Sequence, residues 1–198
     1  MWYASTMLIK RELEAELKSS AKQYPVVTIT GPRQSGKTTL ARRAFPRYRY
    51  VNLEEPDTRE LAQADPRAFL GVAEKGMILD EIQRVPELLS YIQSIVDNKK
   101  KKGQFILTGS RNFELMESVT QSLAGRTAIL NLLPLSIPEL KKVKQDNSTD
   151  QYLQKGFYPR VYAERLEPYN FLSAGCQHTF FEFPFFSNSD WRGNIYPG

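Results

Sequence analysis

The stretch that most restricts this chain is VVTITGPRQSGKTTLARR, residues 26–43. VVTIT is short and β-branched, bounded by Pro25 and Gly31, and reads as a buried strand. A glycine loop follows, and a helix is expected from about Lys37 to Ala44. The spacing fits G-x-x-x-x-G-K-[ST] at Gly31, Gly36, Lys37 and Thr38. A loop that ends a strand and opens a helix gathers backbone amides and the positive helix end at one point. That chemistry suits an anion. Gly31, Pro32, Arg33, Gln34, Ser35, Gly36, Lys37, Thr38 and Thr39 are therefore the candidate cradle for a polyphosphate. The glycines let the backbone approach without a Cβ clash. Lys37 can reach the β- and γ-phosphates, and the Thr38 hydroxyl can ligate the Mg2+ that bridges them. The plainer alternative, a chance glycine turn, needs neither the strand before nor the helix after.

The rest of the chain repeats the alternation. LIKRELEAELKSSAKQY places Leu13, Leu17, Ala21 and Tyr24 on one helical face, with Glu14 and Lys18 paired at i,i+4. Further strands are expected at YRYVNLE, GMILDE, QFILTGS and TAILNLLPL. Helices are expected over Asp57–Ala73 in two pieces broken by Pro66, from Pro86 onward, over Asn112–Leu123, and from SIPELKK. Leu88, Leu89, Ile92, Ile95 and Val96 share one face of the helix after Pro86, and Leu115, Met116, Val119 and Leu123 one face of the next. Short apolar strands alternating with helices predict an α/β fold, a parallel five-stranded sheet covered on both faces. Residues 1–6 read as an unstructured extension, and KKVKQDNSTDQYLQKG as a polar linker.

In a parallel sheet, ligands gather beyond the carboxyl ends of the strands. GMILDEIQR puts Asp80 and Glu81 at such an end, facing the glycine loop. Asp80 is the candidate Mg2+ holder, and Glu81 the candidate base for an attacking water. The alternative is an acidic helix cap. FILTGSRN ends the fourth strand with Thr108 and Ser110, either of which can meet a γ-phosphate or its attacking water. Ser110 or Asn112 can equally cap the next helix. Arg126 follows Gly125, a candidate helix-ending glycine. A crossover helix runs antiparallel to its strands, so Arg126 falls at the end of the sheet away from its own nucleotide. As an arginine finger it must act on a neighbouring subunit; otherwise it is a solvated arginine. Lys99–Lys102 fall at that same far end. They read as a solvated turn favoured by the helix dipole, or as a contact for nucleic acid or an acidic partner.

A glutamate beside the metal-binding aspartate argues for water as nucleophile, and against a P-loop kinase, for which no arginine-rich lid is visible. A guanine reader would show N-K-x-D, whereas Asn98 is followed by Lys99, Lys100 and Lys101. ATP is therefore preferred to GTP. The chain has 198 residues, 41% hydrophobic and 25% charged, with a net charge of +5 that permits an anionic partner without requiring one. One cysteine, Cys176, rules out an internal disulfide. No apolar run approaches the ~20 residues of a membrane span, and the N-terminus turns charged too early for a secretory leader. A soluble, cytoplasmic protein without membrane contact is expected.

These residues carry a resemblance. ITGPRQSGKTTLAR, YVNLEEPDTRELAQADPRAFL, ILDEIQRVPELLSYIQSIVD, FILTGSRNFELMESVTQSLAGRTAILNLLPLSIPEL and GFYPRVYAERLEP closely resemble prokaryotic AAA-type ATPases that carry a C-terminal domain of unknown function. The resemblance runs from about Met7 to Pro168. It implies an AAA-type P-loop NTPase core with Gly31–Thr38 as phosphate loop, Asp80 and Glu81 as acidic pair, and Arg126 of SLAGR as finger. The implied domains are an N-terminal extension and amphipathic helix over 1–24, an ATPase core over 25–140, and a linker with an incomplete second domain over 141–198. Beyond about Leu172 the similarity fades into CQHTFFEFPFF. A truncated product with impaired activity is the expectation there, His178 is read as incidental, and Phe180, Phe181, Phe183, Phe185 and Phe186 as an exposed apolar segment. The expected function is Mg2+-dependent ATP hydrolysis in a homo-oligomer, driving a conformational or assembly change in an unknown protein partner. The alternative is a nucleotide-gated switch with negligible turnover, DNA-associated in one version.

Overall fold

The computed structural model describes residues 9–72, 75–99, 101–110, 113–142, 148–164 and 166. The N-terminal extension, Asn112, Cys176, His178 and the aromatic C-terminal stretch lie outside them. The strands are β1 (Val26–Gly31), β2 (Arg49–Asn52), β3 (Met77–Asp80), β4 (Phe105–Ser110) and β5 (Thr127–Asn131). All pair in parallel in one sheet of order β2-β3-β4-β1-β5, as the alternating pattern predicts.

Strand periodicity sorts the core onto the two faces. On one face Met77, Leu79, Phe105 and Leu107 pack under α3 (Pro56–Ala64), α4 (Pro66–Gly71), α5 (Leu88–Lys99) and α6 (Phe113–Leu123). On the other, Val27, Ile29, Ile78 and Ile106 pack under α1 (Leu13–Gln23) and α2 (Lys37–Ala44). Leu17, Ile29, Leu79 and Leu107 are fully buried, and truncating one such side chain to alanine costs about 2–5 kcal/mol. The core is thus rigid enough to hold the strand ends in register. The Glu14–Lys18 pair forms at 2.6 Å.

Two details differ from the sequence reading. Pro86 does not open α5: a 3-10 turn over Ile82–Arg84 intervenes, and three-residue bonds from Leu88 to Val85 and Leu89 to Pro86 tighten the chain before the helix starts. The polar run expected to be a linker contains a helix, α8 (Thr149–Lys155). Ser148 and Gln151 form a capping box that starts it, and Tyr152 is its buried anchor. The short helices α7 (Ile137–Lys141) and α9 (Pro159–Ala163) flank it. Leu140, Tyr152, Val161 and Tyr162 bury themselves with Leu135 and with Ile9 from the N-terminal segment.

Candidate functional site

The strand register brings three chain segments together at the carboxyl end of the sheet. Gly31 of β1 lies beside Ser110 of β4, and Leu79 beside Leu107, which sets Asp80 next to Thr108. Gly31 has φ +149°, and a Cβ there would lie 2.2 Å from the Leu132 carbonyl oxygen, so no larger residue fits without moving β5's continuation. Gly36 caps α2 with φ +92°, a conformation that strains any residue with a Cβ. Between them Ser35 N–H donates to the Pro32 carbonyl at 3.4 Å, closing the loop. The first amides of α2 have no partner within the helix and point out of its end.

Lys37 is buried, and its ammonium donates to the carbonyls of Gly31 at 3.0 Å and Pro32 at 2.9 Å. Burial lowers its pKa below the ordinary lysine range, against the pull of Glu81 and Asp80 that raises it. Such a group gains from an anion that restores its lost solvation. The Thr38 hydroxyl donates toward both Asp80 oxygens at 2.9 Å. A hydroxyl and a carboxylate converging this way are hard oxygen ligands of the kind Mg2+ takes, with phosphate and water completing the shell. The donor set therefore fits the metal.

Asp80 is buried and heavily coordinated. Tyr50 on β2 donates to its Oδ2 at 2.9 Å, and Thr108 donates to its Oδ1. Burial first, then Asp80, pushes the Tyr50 phenol well above its usual pKa, so it remains a donor. Arg42 lies 4.6 Å over the same ring. Glu81 holds a left-handed backbone, φ +58° and ψ +49°, a conformation that stores strain in a residue with a side chain. Its amide donates to Thr108 Oγ1 at 3.3 Å, and Gln83 donates to its carboxylate. Thr108 is thus fully buried and links the two acids from behind. Ser110 Oγ is buried and finds no partner among the described residues, which leaves it available to a ligand oxygen.

Beside the loop opens a cleft of about 600 Å³ lined by Arg33, Gln34, Gly36, Lys37, Thr38 and Thr39, with Glu81 on one side. Its other wall comes from Ile9, Arg11 and α9, through Pro159, Arg160 and Ala163. Arg126 stands elsewhere. Its carbonyl accepts from Val26 N–H at the starting edge of β1, opposite the loop. Its guanidinium donates to Asp97 at 2.6 Å and 3.0 Å and to the Ala124 carbonyl at 2.9 Å. Sequence reasoning missed Arg11, Tyr50, Gln83 and the α9 wall. The β2–β3 adjacency that delivers Tyr50 is a tertiary fact. GFYPR could have pointed to α9, since its motif stands out where the surrounding text is polar.

Strand order, glycine loop and acidic strand end together define a P-loop NTPase of the AAA type. The chain belongs to the AAA domain family, whose model matches residues 23–141. Uncharacterized proteins of Mycobacterium tuberculosis and Mycobacterium bovis are each 31% identical over 165 residues, covering 81% of this chain and 36% of each relative. An uncharacterized protein of Methanocaldococcus jannaschii is 25% identical over 155 residues, 73% of this chain and 34% of that protein. The chain thus spans about a third of the length of the curated relatives it matches. The fold is similar to a Walker-type ATPase of Pyrococcus abyssi, with TM-score 0.54, 18% identity, and 77% of this chain and 65% of that one covered. It is also similar to the FIGL-1 AAA domain solved with ADP, with TM-score 0.51, 14% identity, and 77% and 65% covered. Among the described residues no helix is long and apolar enough to cross a membrane.

Proposed function

We propose that this chain is the catalytic part of a Mg2+-dependent ATPase that turns ATP hydrolysis into a conformational or assembly change in a protein partner, in the cytoplasm. The observation that carries the reading is the convergence of Lys37, Thr38 and Asp80 beside the loop, with the Glu81 amide tied to Thr108. Loop amides and the α2 end bind the triphosphate, and Lys37 exchanges two carbonyls for phosphoryl oxygens. Thr38 and Asp80 would hold Mg2+, which would neutralise negative charge on the phosphoryl oxygens. Glu81 accepts the proton of a water aimed at the γ-phosphorus, and Gln83 restrains that carboxylate. Ser110, unpartnered at the strand end, suits a contact with the γ-phosphoryl group or that water.

Arg126 points away from this site, which supports a finger acting on the nucleotide of a second copy; such fingers contribute about 10³–10⁵ in rate. Turnover measured as phosphate release over a range of protein concentration tests the reading. Activity should rise with association and fall about 10²–10⁴-fold in Glu81→Gln. Equal rates for Glu81→Gln and wild type would remove Glu81 from the chemistry. A second reading has one specific support: Arg126 is paired with Asp97 within its own chain. A protomer held that way binds ATP as a switch and turns it over negligibly. Stoichiometric ATP binding without phosphate release at any concentration selects that reading. DNA affinity that falls steeply with salt would add nucleic acid to it, through the exposed Lys99, Lys101 and Lys102.

A further inference from the structure

Arg11 precedes α1 and lies far in sequence from the loop, yet its side chain is only 9% exposed. Its Nη1 donates to the Ser35 carbonyl at 2.7 Å, within the phosphate loop. Its Nη2 donates to the carbonyls of Leu133 at 2.6 Å and Pro134 at 3.3 Å, between β5 and α7. Its Nε donates to Glu139 Oε1 at 3.1 Å, on α7 itself. The Glu139 carboxylate also accepts the Glu12 amide at 2.7 Å and the Ser136 amide at 2.9 Å. One planar guanidinium therefore joins the loop, the exit of β5 and the start of α7. Its fork is rigid, so these acceptors cannot shift independently.

The consequence for the loop follows from peptide geometry. The Ser35 carbonyl and the Gly36 N–H belong to one trans peptide plane and point in opposite directions. Holding the carbonyl on Arg11 fixes the direction of the Gly36 amide. That amide belongs to the residue that caps α2, where a phosphate is received. On the other side of Arg11, α7 contributes no lining residue to the cleft, so a ligand there cannot touch it directly.

We propose that Arg11 is a positioning residue that aims the phosphate loop and transmits its occupancy to α7 through Glu139. The inference rests on the ATPase reading and supplies its first mechanical step. A triphosphate that pulls the Gly36 amide stiffens the Ser35 carbonyl, the Arg11 fork and the α7 cap together.

The test combines calorimetric titration of the full chain with Mg-ATP and backbone hydrogen exchange at α7. In the wild type, saturation with Mg-ATP slows exchange of the Leu140 and Lys141 amides. In Arg11→Met, affinity falls about tenfold or more, as for a lost bond to a charged group. At saturating nucleotide its α7 amides still exchange at their nucleotide-free rate. A role confined to stability would lower the unfolding temperature and leave the α7 response intact. Arg11→Lys keeps a cation opposite Glu139 but not the fork, shows the same decoupling, and serves if the methionine variant does not fold. Wild-type affinity, or a wild-type α7 response, in either folded variant overturns the proposal. Wild-type binding with no change at α7 overturns it alone, and absence of wild-type binding overturns the ATPase reading with it.

Discussion

Thr108→Val removes one hydroxyl from the back of the site and keeps its shape. That hydroxyl donates to Asp80 and accepts the Glu81 amide at 3.3 Å, in a residue with no exposed surface. A hydrogen bond to an ionised group contributes about 1.5–3 kcal/mol, and a donor left unsatisfied costs about 1–3 kcal/mol. Glu81 is only partly buried, so its amide belongs at the low end of that range. The loss should be about 2–4 kcal/mol of stability. With a urea slope of about 2 kcal/mol/M, the unfolding midpoint moves down by about 1–2 M. The strained Glu81 backbone also loses its anchor, so turnover should fall at least about tenfold, while ATP affinity changes little because the loop is untouched. Thr108→Ser keeps the hydroxyl and should recover most of both losses. A Thr108→Val chain that unfolds at the wild-type urea midpoint would refute the bridging role. A chain that loses its preference for ATP over ADP would instead make Thr108 a direct contact of the γ-phosphate.

Other substitutions probe separate parts of the molecule. Lys37→Ala should abolish ATP binding while the chain stays folded, since its two bonds are to loop carbonyls rather than to the core; calorimetry with circular dichroism checks both. Mixing Arg126→Ala chains with Lys37→Ala chains should restore part of the phosphate release, and no rescue at concentrations where the chains associate would count against a finger between subunits. Burial alone would raise the pKa of Glu139, yet the Ser136 and Glu12 amides and Arg11 hold it below the usual carboxylate range. A depressed carboxylate contributes stability that is present above its unfolded pKa and lost as pH falls through the folded one. The stability gap between wild type and Glu139→Gln should therefore be constant above about pH 4.5 and close below it, measured as urea midpoints across pH.

Much of this was legible in the sequence because its signals are local. A strand, a loop and a helix in a row at Val26–Ala44 leave little freedom of placement, and an acidic pair closing an apolar strand falls at the same end of the sheet whatever the strand order. The same reasoning puts Arg126 at the opposite end, where its carbonyl meets Val26. What stayed hidden depends on contacts across many residues. Tyr50 reaches Asp80 only because β2 lies beside β3. Arg11 reads as one more charge in KRELE until the chain folds back across a separation of 128 positions to bring Glu139 against it. The helix α8 hid in a polar run because a single tyrosine supplies its buried contact, too few apolar positions for a visible period. For Thr108 the sequence suggested a contact with the γ-phosphate or its attacking water, and the fold gives its hydroxyl to the Asp80 carboxylate and the Glu81 amide.

The proposed ATPase rests on main-chain amides around Gly31–Thr38 holding a triphosphate together with Lys37. Titration of the folded chain with Mg-ATP in a calorimeter tests it most directly. Saturable heat at one nucleotide per chain is expected from the wild type, and none from Lys37→Ala. No saturable heat from the folded wild-type chain would contradict it.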